Sequence, residues 1–569
     1  MFFLPFLCTS TFARQIILDE EFNDWEDVES QFSDPEGDSD NIDLFTLKIS
    51  NDDRFIYFLL EVSEEIDLQE NNDLVLYIDT DNNIETGIES NGIGYEFEFS
   101  FGQRTGIFHS DQNINLSPYD VGLIASPTVT STTIEFKLNL DAEVNGIKIF
   151  GSDELSLFIY SVSGNEFLPN EGEAALYQLD IQSTFEPQPF QIAKKSGYDF
   201  RVLSYNVRRD ALFNAGLKNE YQRIISAVQP DIIGFQEVYQ NSGAQAAELV
   251  EEFIPSQDGE MWYSGDTGTD NLIVSRYPVI KSQTVNGNSV YLLDAVDFFI
   301  FVIVAHPPCC ANNEGRQLEI DAFMAFLRDS KNGEEFNIPE NTPIIIMGDM
   351  NLVGLSQQQT TLITGDIINE DAYGSDFNPD WDGSALEDAK PNNPGFPTSF
   401  TWFSQNSSFG AGRLDYMVYS GSVLEMLNTF SLHTPTLDSD TLSVYNLEVL
   451  DTILASDHTP VVADFKFKTQ TSTDRLESDG PENFTLFQNY PNPFNPSTTI
   501  PFEISKPAKV SLTVHTINGV KVASIIENKY LNSGEYSFVY KAEELASGIY
   551  FYRLNVDGAI QNNMMVLIK

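Results

Sequence analysis

Ile344-Ile345-Ile346-Met347-Gly348-Asp349-Met350-Asn351 decides how this chain is read. An apolar run long enough for one buried strand passes into a glycine, then into an acid and an amide two residues apart. Alternate residues of a strand share a face, so Asp349 and Asn351 are expected side by side at the strand end. The same figure recurs upstream: Arg201 to Asn206 (RVLSYN) closes on an amide, Asp231 to Glu237 (DIIGFQE) on a carboxylate, and Phe298 to His306 (FFIFVIVAH) on an imidazole. Asp270 to Ile280 (DNLIVSRYPVI) is a further strand with Arg276 near its close. Asn219 to Gln229 is predicted helical, with Tyr221, Ile224, Ile225 and Val228 on one face. Polar groups at the tips of buried strands cost free energy unless they are used. Chemistry is therefore expected in residues 199–468, where strands and helices alternate.

The chain has 569 residues, 41% hydrophobic and 20% charged, which is enough material for several cores. Its 30 Lys and Arg face 86 Asp and Glu, a net charge of −56 that excludes a histone-like or architectural DNA binder. By segment the charge is −30 over 1–198, −24 over 199–469 and −2 over 470–569, so the last hundred residues are a different material. Such an acidic front suits salty surroundings, where screening removes most of the self-repulsion. Cys8, Cys309 and Cys310 are too few for a disulfide scaffold and lack zinc-site spacing. The adjacent Cys309 and Cys310, after Pro307 and Pro308, are expected to form a vicinal disulfide or stay as two thiols beside His306. The longest apolar run, Phe298 to Ala305, is far short of the roughly 20 residues of a bilayer span, so no transmembrane segment is expected.

In chain order, Asn206, Gln236-Glu237, Ser275-Arg276-Tyr277-Pro278, His306, Gly348-Asp349-Met350-Asn351, Gly412-Arg413-Leu414-Asp415-Tyr416 and Ser456-Asp457-His458 resemble the endonuclease/exonuclease/phosphatase superfamily. The resemblance implies a four-layer αββα sandwich that hydrolyses phosphate esters with Mg²⁺ or Mn²⁺. It assigns Glu237, Asn206 and Asp457 to the metal, and Asp349 to the attacking water or leaving group. It further implies that the Asn351 amide donates to a phosphoryl oxygen, that His458, held by Asp415, stabilises the phosphorane or acts as base, and that His306 approaches from the opposite wall. Whether one or two metals bind stays open. Arg276 and Arg208, with Arg209, are expected near the phosphate.

The substrate is less determined. Fourteen basic residues against 38 acidic handicap extended duplex binding, while Tyr373, Phe377, Trp381, Phe396, Phe400 and Trp402 in an insertion could touch a membrane, cap a substrate or simply pack down. A nuclease-like phosphodiesterase leads. A sphingomyelinase-like enzyme or sugar or inositol phosphate phosphatase is the alternative, so the partner is nucleic acid or phospholipid, and a non-catalytic surface adhesin is a third reading.

The two flanks differ. Residues 1–13 have the shape of a signal peptide without a leading positive charge. Residues 14–183 read as an acidic all-β sandwich whose Phe22 to Trp25, Asn51 to Glu61 and Leu74 to Gly87 resemble carbohydrate-binding module family nine, which implies a polysaccharide partner. Trp25, Tyr57 and Tyr95 are as suited to its core as to a binding face. Asp79, Asp81, Asn83 and Glu85 place oxygens on alternate turn residues, a pattern suited to Ca²⁺ and equally to a tight turn. Residues 184–198 and 469–483 are expected as linkers. Residues 484–569, a small β-sandwich with Tyr490 to Pro496 (YPNPFNP) and Ser547 to Tyr550 (SGIY), resemble the C-terminal sorting domain of the type nine secretion system. That implies the type nine machinery as partner, and a protein secreted or held at the surface of a Gram-negative bacterium.

Overall fold

The computed structural model describes residues 13–34, 41–187, 190–257, 261–295, 298–468, 484–516, 521–542, 545–556 and 559–569. The expected signal peptide and the 469–483 linker lie almost wholly outside them. The chain divides into two units, one running to Lys468 and one made chiefly of the residues after it. Among the described residues no helix is long and apolar enough to cross a membrane.

The central domain is a sandwich of two six-stranded sheets. The first runs in the order Tyr263–Asp266, Leu272–Ser275, Ile232–Gln236, Phe200–Asn206, Val461–Phe467, Leu424–Ser431. The second runs Val279–Val285, Asn288–Asp294, Phe299–Ala305, Ile344–Asp349, Asp415–Tyr419, Glu387–Asp388. Strands buried on both faces need apolar side chains throughout, and the all-apolar runs predicted from sequence supply them. The sheets approach so closely that a Cβ on Gly234 would lie 2.7 Å from Met347 Cε. Helices Lys218–Val228 and Gly243–Phe253 cover the first sheet through Tyr221, Ile224, Ile225, Val228, Ala246 and Val250, and Asn313–Lys331 covers the second through Ile320, Phe323, Met324 and Leu327. The result is the expected four-layer αββα arrangement.

Register fixes where the chemistry falls. Phe200–Asn206 and Ile232–Gln236 are parallel with Asn206 opposite Gln236, and Phe299–Ala305 and Ile344–Asp349 are parallel with Ala305 opposite Gly348. Asp415 opens an antiparallel strand and sits opposite Asp349. All these tips share one end of the sandwich.

The N-terminal module packs a five-stranded sheet against a seven-stranded one over a core that includes Phe58, Leu76, Phe97, Phe136 and Leu157. Trp25, Tyr57 and Tyr95 are buried, which removes them as a carbohydrate platform. The module is fused to the catalytic sandwich, not tethered to it. Ile16, Leu18, Trp25, Phe55 and Tyr57 share one apolar cluster with Phe400 and Ala411, and Leu18 bridges Thr398. Arg413, 4% exposed, donates to Glu20 of the module at 2.7 Å and to Asp388 of its own domain at 2.7 Å. Within the 184–198 linker, Ile192 is buried in the catalytic core and Lys194 pairs with Asp231 at 2.8 Å.

Four of the six insertion aromatics are accounted for by packing. Phe377 and Trp381 pack on the second sheet's core, Trp381 Nε1 donates to the Thr342 carbonyl at 2.7 Å, and Phe396 and Phe400 join the cluster shared with the module. A membrane-touching loop built on them is thereby corrected, because their apolar faces are already covered.

The second unit, by itself, is a sandwich of three strands (Phe484–Leu486, Ser497–Ile504, Gly534–Lys541) on four (Lys521–Leu531, Ala508–Thr516, Gly548–Val556, Ala559–Leu567).

Candidate active site

At the shared strand ends Asp349 is the hub. Its glycine neighbour is there for backbone reasons: Gly348 has φ +145°, and a Cβ would collide with Ala305. Asn206 Nδ2 donates to Asp349 Oδ2 at 3.0 Å and to Glu237 Oε1 at 3.1 Å. Its Oδ1 accepts from the Arg208 amide at 2.9 Å, which fixes the orientation of the side chain. Asn206 therefore bridges two carboxylates and holds them in place. Glu237 Oε2 accepts from the Arg209 amide at 2.9 Å.

Two histidines flank the hub. His458 Nε2 lies 3.5 Å from Asp349 Oδ2 and His306 Nε2 lies 3.6 Å from the same oxygen. Each ring is gripped at Nδ1 by a second carboxylate, Asp415 for His458 and Asp270 for His306, both at 2.7 Å. Burial opposes the charged form of each ring, and the carboxylates outweigh it. Asp270 and Asp349 push His306 up to about 9, and Asp415 and Asp349 push His458 up to about 10, so both rings carry a proton at neutral pH. Burial, with the nearby Asp415 charge, raises Asp349, and the two rings and the Asn206 amide offset only part of that rise.

Asn351 is not on the strand, which ends at Asp349; it has φ +49° and its own amide donates back to Asp349 Oδ1 at 3.1 Å. Same-face alternation thus does not apply to the pair. Asn351 Nδ2 donates to the Pro307 carbonyl at 3.0 Å, tying the His306 loop to the hub. Cys309 and Cys310 are disulfide-bonded in that loop and line the cavity.

Asp457 faces the cavity, 3.6 Å from Arg208 Nε. Arg208 is exposed, and it is Arg209 that lines the cavity. Arg276 is misplaced by the sequence reading. Leu272–Ser275 runs antiparallel to Ile232–Gln236, with Phe235 opposite Leu272, so Asp270 reaches the site and Arg276 lies at the far end. There Arg276 stacks on Trp262 at 3.9 Å and donates to Ser256 Oγ at 2.6 Å. Asp270 and Tyr239 were missed. Burial and the Asp270 carboxylate hold the Tyr239 hydroxyl protonated at the cavity edge.

The donor set fits a divalent cation. Glu237, Asp349 and His306 offer ligand atoms within 4.8 Å of one another, a mixed carboxylate and imidazole group suited to a hard or borderline metal. In the N-terminal module two acidic groups are comparably close, Asp34 with Asp43 and Glu166, and Asp79 with Asp81 and Glu96. Glu85 lies outside the latter group, and around it the Asn83 backbone amide donates to Asp79 Oδ1 at 3.1 Å and the Glu85 backbone amide to Asn83 Oδ1 at 3.2 Å, hydrogen bonds of a tight turn.

A cavity of about 930 Å³ opens over the hub, lined by Glu237, His306, Asp349, Asn351, Asp457 and His458. A concave site with clustered carboxylates and paired imidazoles is suited to acid–base or metal-assisted chemistry. Residues 203–458 match the Endonuclease/Exonuclease/phosphatase family, and residues 488–569 match the Secretion system C-terminal sorting domain. The chain therefore carries an endonuclease/exonuclease/phosphatase domain, a phosphoesterase, followed by a sorting domain that marks a secreted or cell-surface protein. Solved structures similar to it include truncated TDP2 from Caenorhabditis elegans, 18% identical, covering 47% of this chain and 97% of that one at a TM-score of 0.30. An endonuclease/exonuclease/phosphatase from Beutenbergia cavernae is 15% identical, covering 65% and 100%, at 0.31. The human Nocturnin catalytic domain with bound sulfate is 16% identical, covering 48% and 97%, at 0.29. No curated protein matches the chain significantly.

Proposed function

We propose that the protein is an exported, Mg²⁺- or Mn²⁺-dependent phosphodiesterase, nuclease-like in its chemistry. The observation that carries this reading is Asp349 set between two histidines at 3.5 and 3.6 Å with Glu237 beside it. A binding protein has no use for so many buried like charges at one point. Glu237 and Asp349, joined by His306 once that ring gives up its Nε2 proton, would hold the cation, which when bound supplies charge neutralisation at the phosphate and a more acidic water.

The remaining steps belong to the chain itself. His458, protonated and oriented by Asp415, donates from Nε2 to a phosphoryl oxygen and stabilises the charge that grows there in the transition state. Asp349 accepts the proton of the attacking water or steers that water in line. Asn206 keeps Glu237 and Asp349 at fixed separation, and Arg209 adds a cationic group to the lining.

The full chain would be offered bis(4-nitrophenyl) phosphate, linear DNA and sphingomyelin with Mg²⁺, Mn²⁺ or EDTA. The expected outcome is metal-dependent cleavage of the small diester and of linear DNA, abolished by EDTA and by Glu237→Gln. Equal rates with EDTA and with metal would remove the metal-dependent reading.

A further inference from the structure

The cavity over the hub is not made by the catalytic domain alone. Asp67, Gln69, Glu70 and Thr128 of the N-terminal module line it together with His306 and His458. The loop that carries the first three is braced from both sides. Within the module, Asp67 Oδ1 accepts from the Gln69 amide at 2.8 Å, and Asn72 Nδ2 donates to the carbonyls of Asp67 and Leu68 at 2.7 and 2.8 Å. Across the domain junction, Gln69 Oε1 accepts from the Gly410 amide at 2.7 Å. Arg104 donates to the Gln69 carbonyl at 2.6 Å, pairs with Glu70 at 3.4 Å and stacks on Phe409 of the catalytic domain at 4.1 Å. Thr128 Oγ1 donates to the Leu352 carbonyl at 2.7 Å, beside the hub strand. A loop pinned this way is a wall.

Its charge has a sign and a direction. Asp67 and Glu70 put two carboxylates on the cavity, Arg104 offsets one of them, and Arg209 is the single Arg or Lys among the lining residues. A nucleic-acid strand that continued past the scissile phosphate would bring a further phosphate every nucleotide and needs an open, basic groove on both sides. Here one side is closed by a neighbouring domain carrying acid. Trp402 and Phe409, also in the lining, offer aromatic surface to a flat or apolar group. Rejection by like charge and by a fixed wall is how a site excludes a wrong partner that its attractive contacts would tolerate.

Building on the phosphodiesterase reading above, we infer that the Asp67–Glu70 loop of the N-terminal module is a specificity wall of the active site, restricting the enzyme to phosphoesters that end at or next to the scissile phosphate. Small diesters and strand termini fit; the interior of a continuous strand does not.

The test uses the full chain with Mn²⁺ and three substrates: bis(4-nitrophenyl) phosphate, a linear single-stranded oligonucleotide and the same sequence closed into a circle. Wild type should hydrolyse the first two and cleave the circle at least 10-fold more slowly than the linear strand. Asp67→Asn with Glu70→Gln keeps the loop's shape and removes its charge, and Gln69→Ala frees its clamp. Each should raise circle cleavage several-fold while the rate on the small diester stays within twofold of wild type. Wild-type cleavage of circle and linear strand at equal rates overturns the wall, whatever the variants do, as does a circle-to-diester ratio unmoved in both. Inertness of wild type toward the small diester, with metal present, is instead the failure of the phosphodiesterase reading itself.

Discussion

The two histidine–carboxylate pairs beside Asp349 are built alike and buried unequally. His458 and Asp415 have side chains 6% and 0% exposed, and His306 and Asp270 16% and 17%. Both pairs hold Nδ1 at 2.7 Å and aim Nε2 at the same oxygen of Asp349. What differs is the scaffold. Asp415 is locked by strand register directly opposite Asp349, whereas Asp270 sits in the loop before its strand. The inner pair is thus placed by sheet hydrogen bonds in a low-dielectric setting, where its field on a phosphoryl oxygen is strongest. The outer pair faces solvent more and is suited to sharing in metal binding at the cavity side.

The largest effect should come from the hub that both pairs use. Asp349→Asn keeps the shape and the Asn206 contact but removes the charge that holds both imidazolium rings. We expect kcat/KM on the small diester to fall on the order of 10³-fold or more. A loss below 10-fold, in protein that still melts cooperatively at the wild-type temperature, would show that the two pairs do not work through Asp349.

The next experiment separates the pairs. His458→Gln should lower kcat on the order of 10³-fold with KM little changed, because its donor acts on charge that develops in the transition state. His306→Gln should cost about 10²-fold, and part of that loss should be recovered at higher Mn²⁺, since this ring belongs to the cation-binding group. Recovery by metal in His458→Gln, and none in His306→Gln, would reverse the assignment of inner and outer roles.

The inner pair was legible in the sequence and the outer one only by half, for a topological reason. Glu237, His306 and Asp349 each stand where an apolar run closes on a polar residue, which reports a shared strand end, while Asp415 and His458 entered through the family resemblance. That rule presumes which end of a strand points at the site. Leu272–Ser275 runs the other way, so the rule selected Arg276 at its close and passed over Asp270 at its start. Asn351 was expected on the strand face, and a backbone turn at φ +49° moved it into the loop. The module's part in the cavity had no local signature at all: Glu20 and Gln69 look like any surface residues until docking buries them, and Arg413 looks like an active-site cation until Glu20 claims it. The strands and helices follow from periodicity along the chain and the four-layer arrangement from the family resemblance, while sites made between domains depend on contacts that no stretch of sequence contains.

The finest division between the pairs lies in their second carboxylates. Asp415→Asn and Asp270→Asn both leave a partner at Nδ1 but replace a charged acceptor with an amide, which weakens the hold on the ring and on its proton. Losses of such outer partners run about 10- to 100-fold. Asp415→Asn should lie at the top of that range and act on kcat, because the inner pair is the more deeply buried and solvent compensates less for the lost charge. Asp270→Asn should lie at the bottom and act through apparent Mn²⁺ affinity, since the half-open outer ring can still be solvated. Both are positioning residues, so the discriminating readout is the split between kcat and metal dependence, not the size of the loss. Equal losses in kcat with unchanged Mn²⁺ dependence in both variants would mean that unequal burial does not translate into unequal function, and that the two pairs act as one symmetric clamp on Asp349.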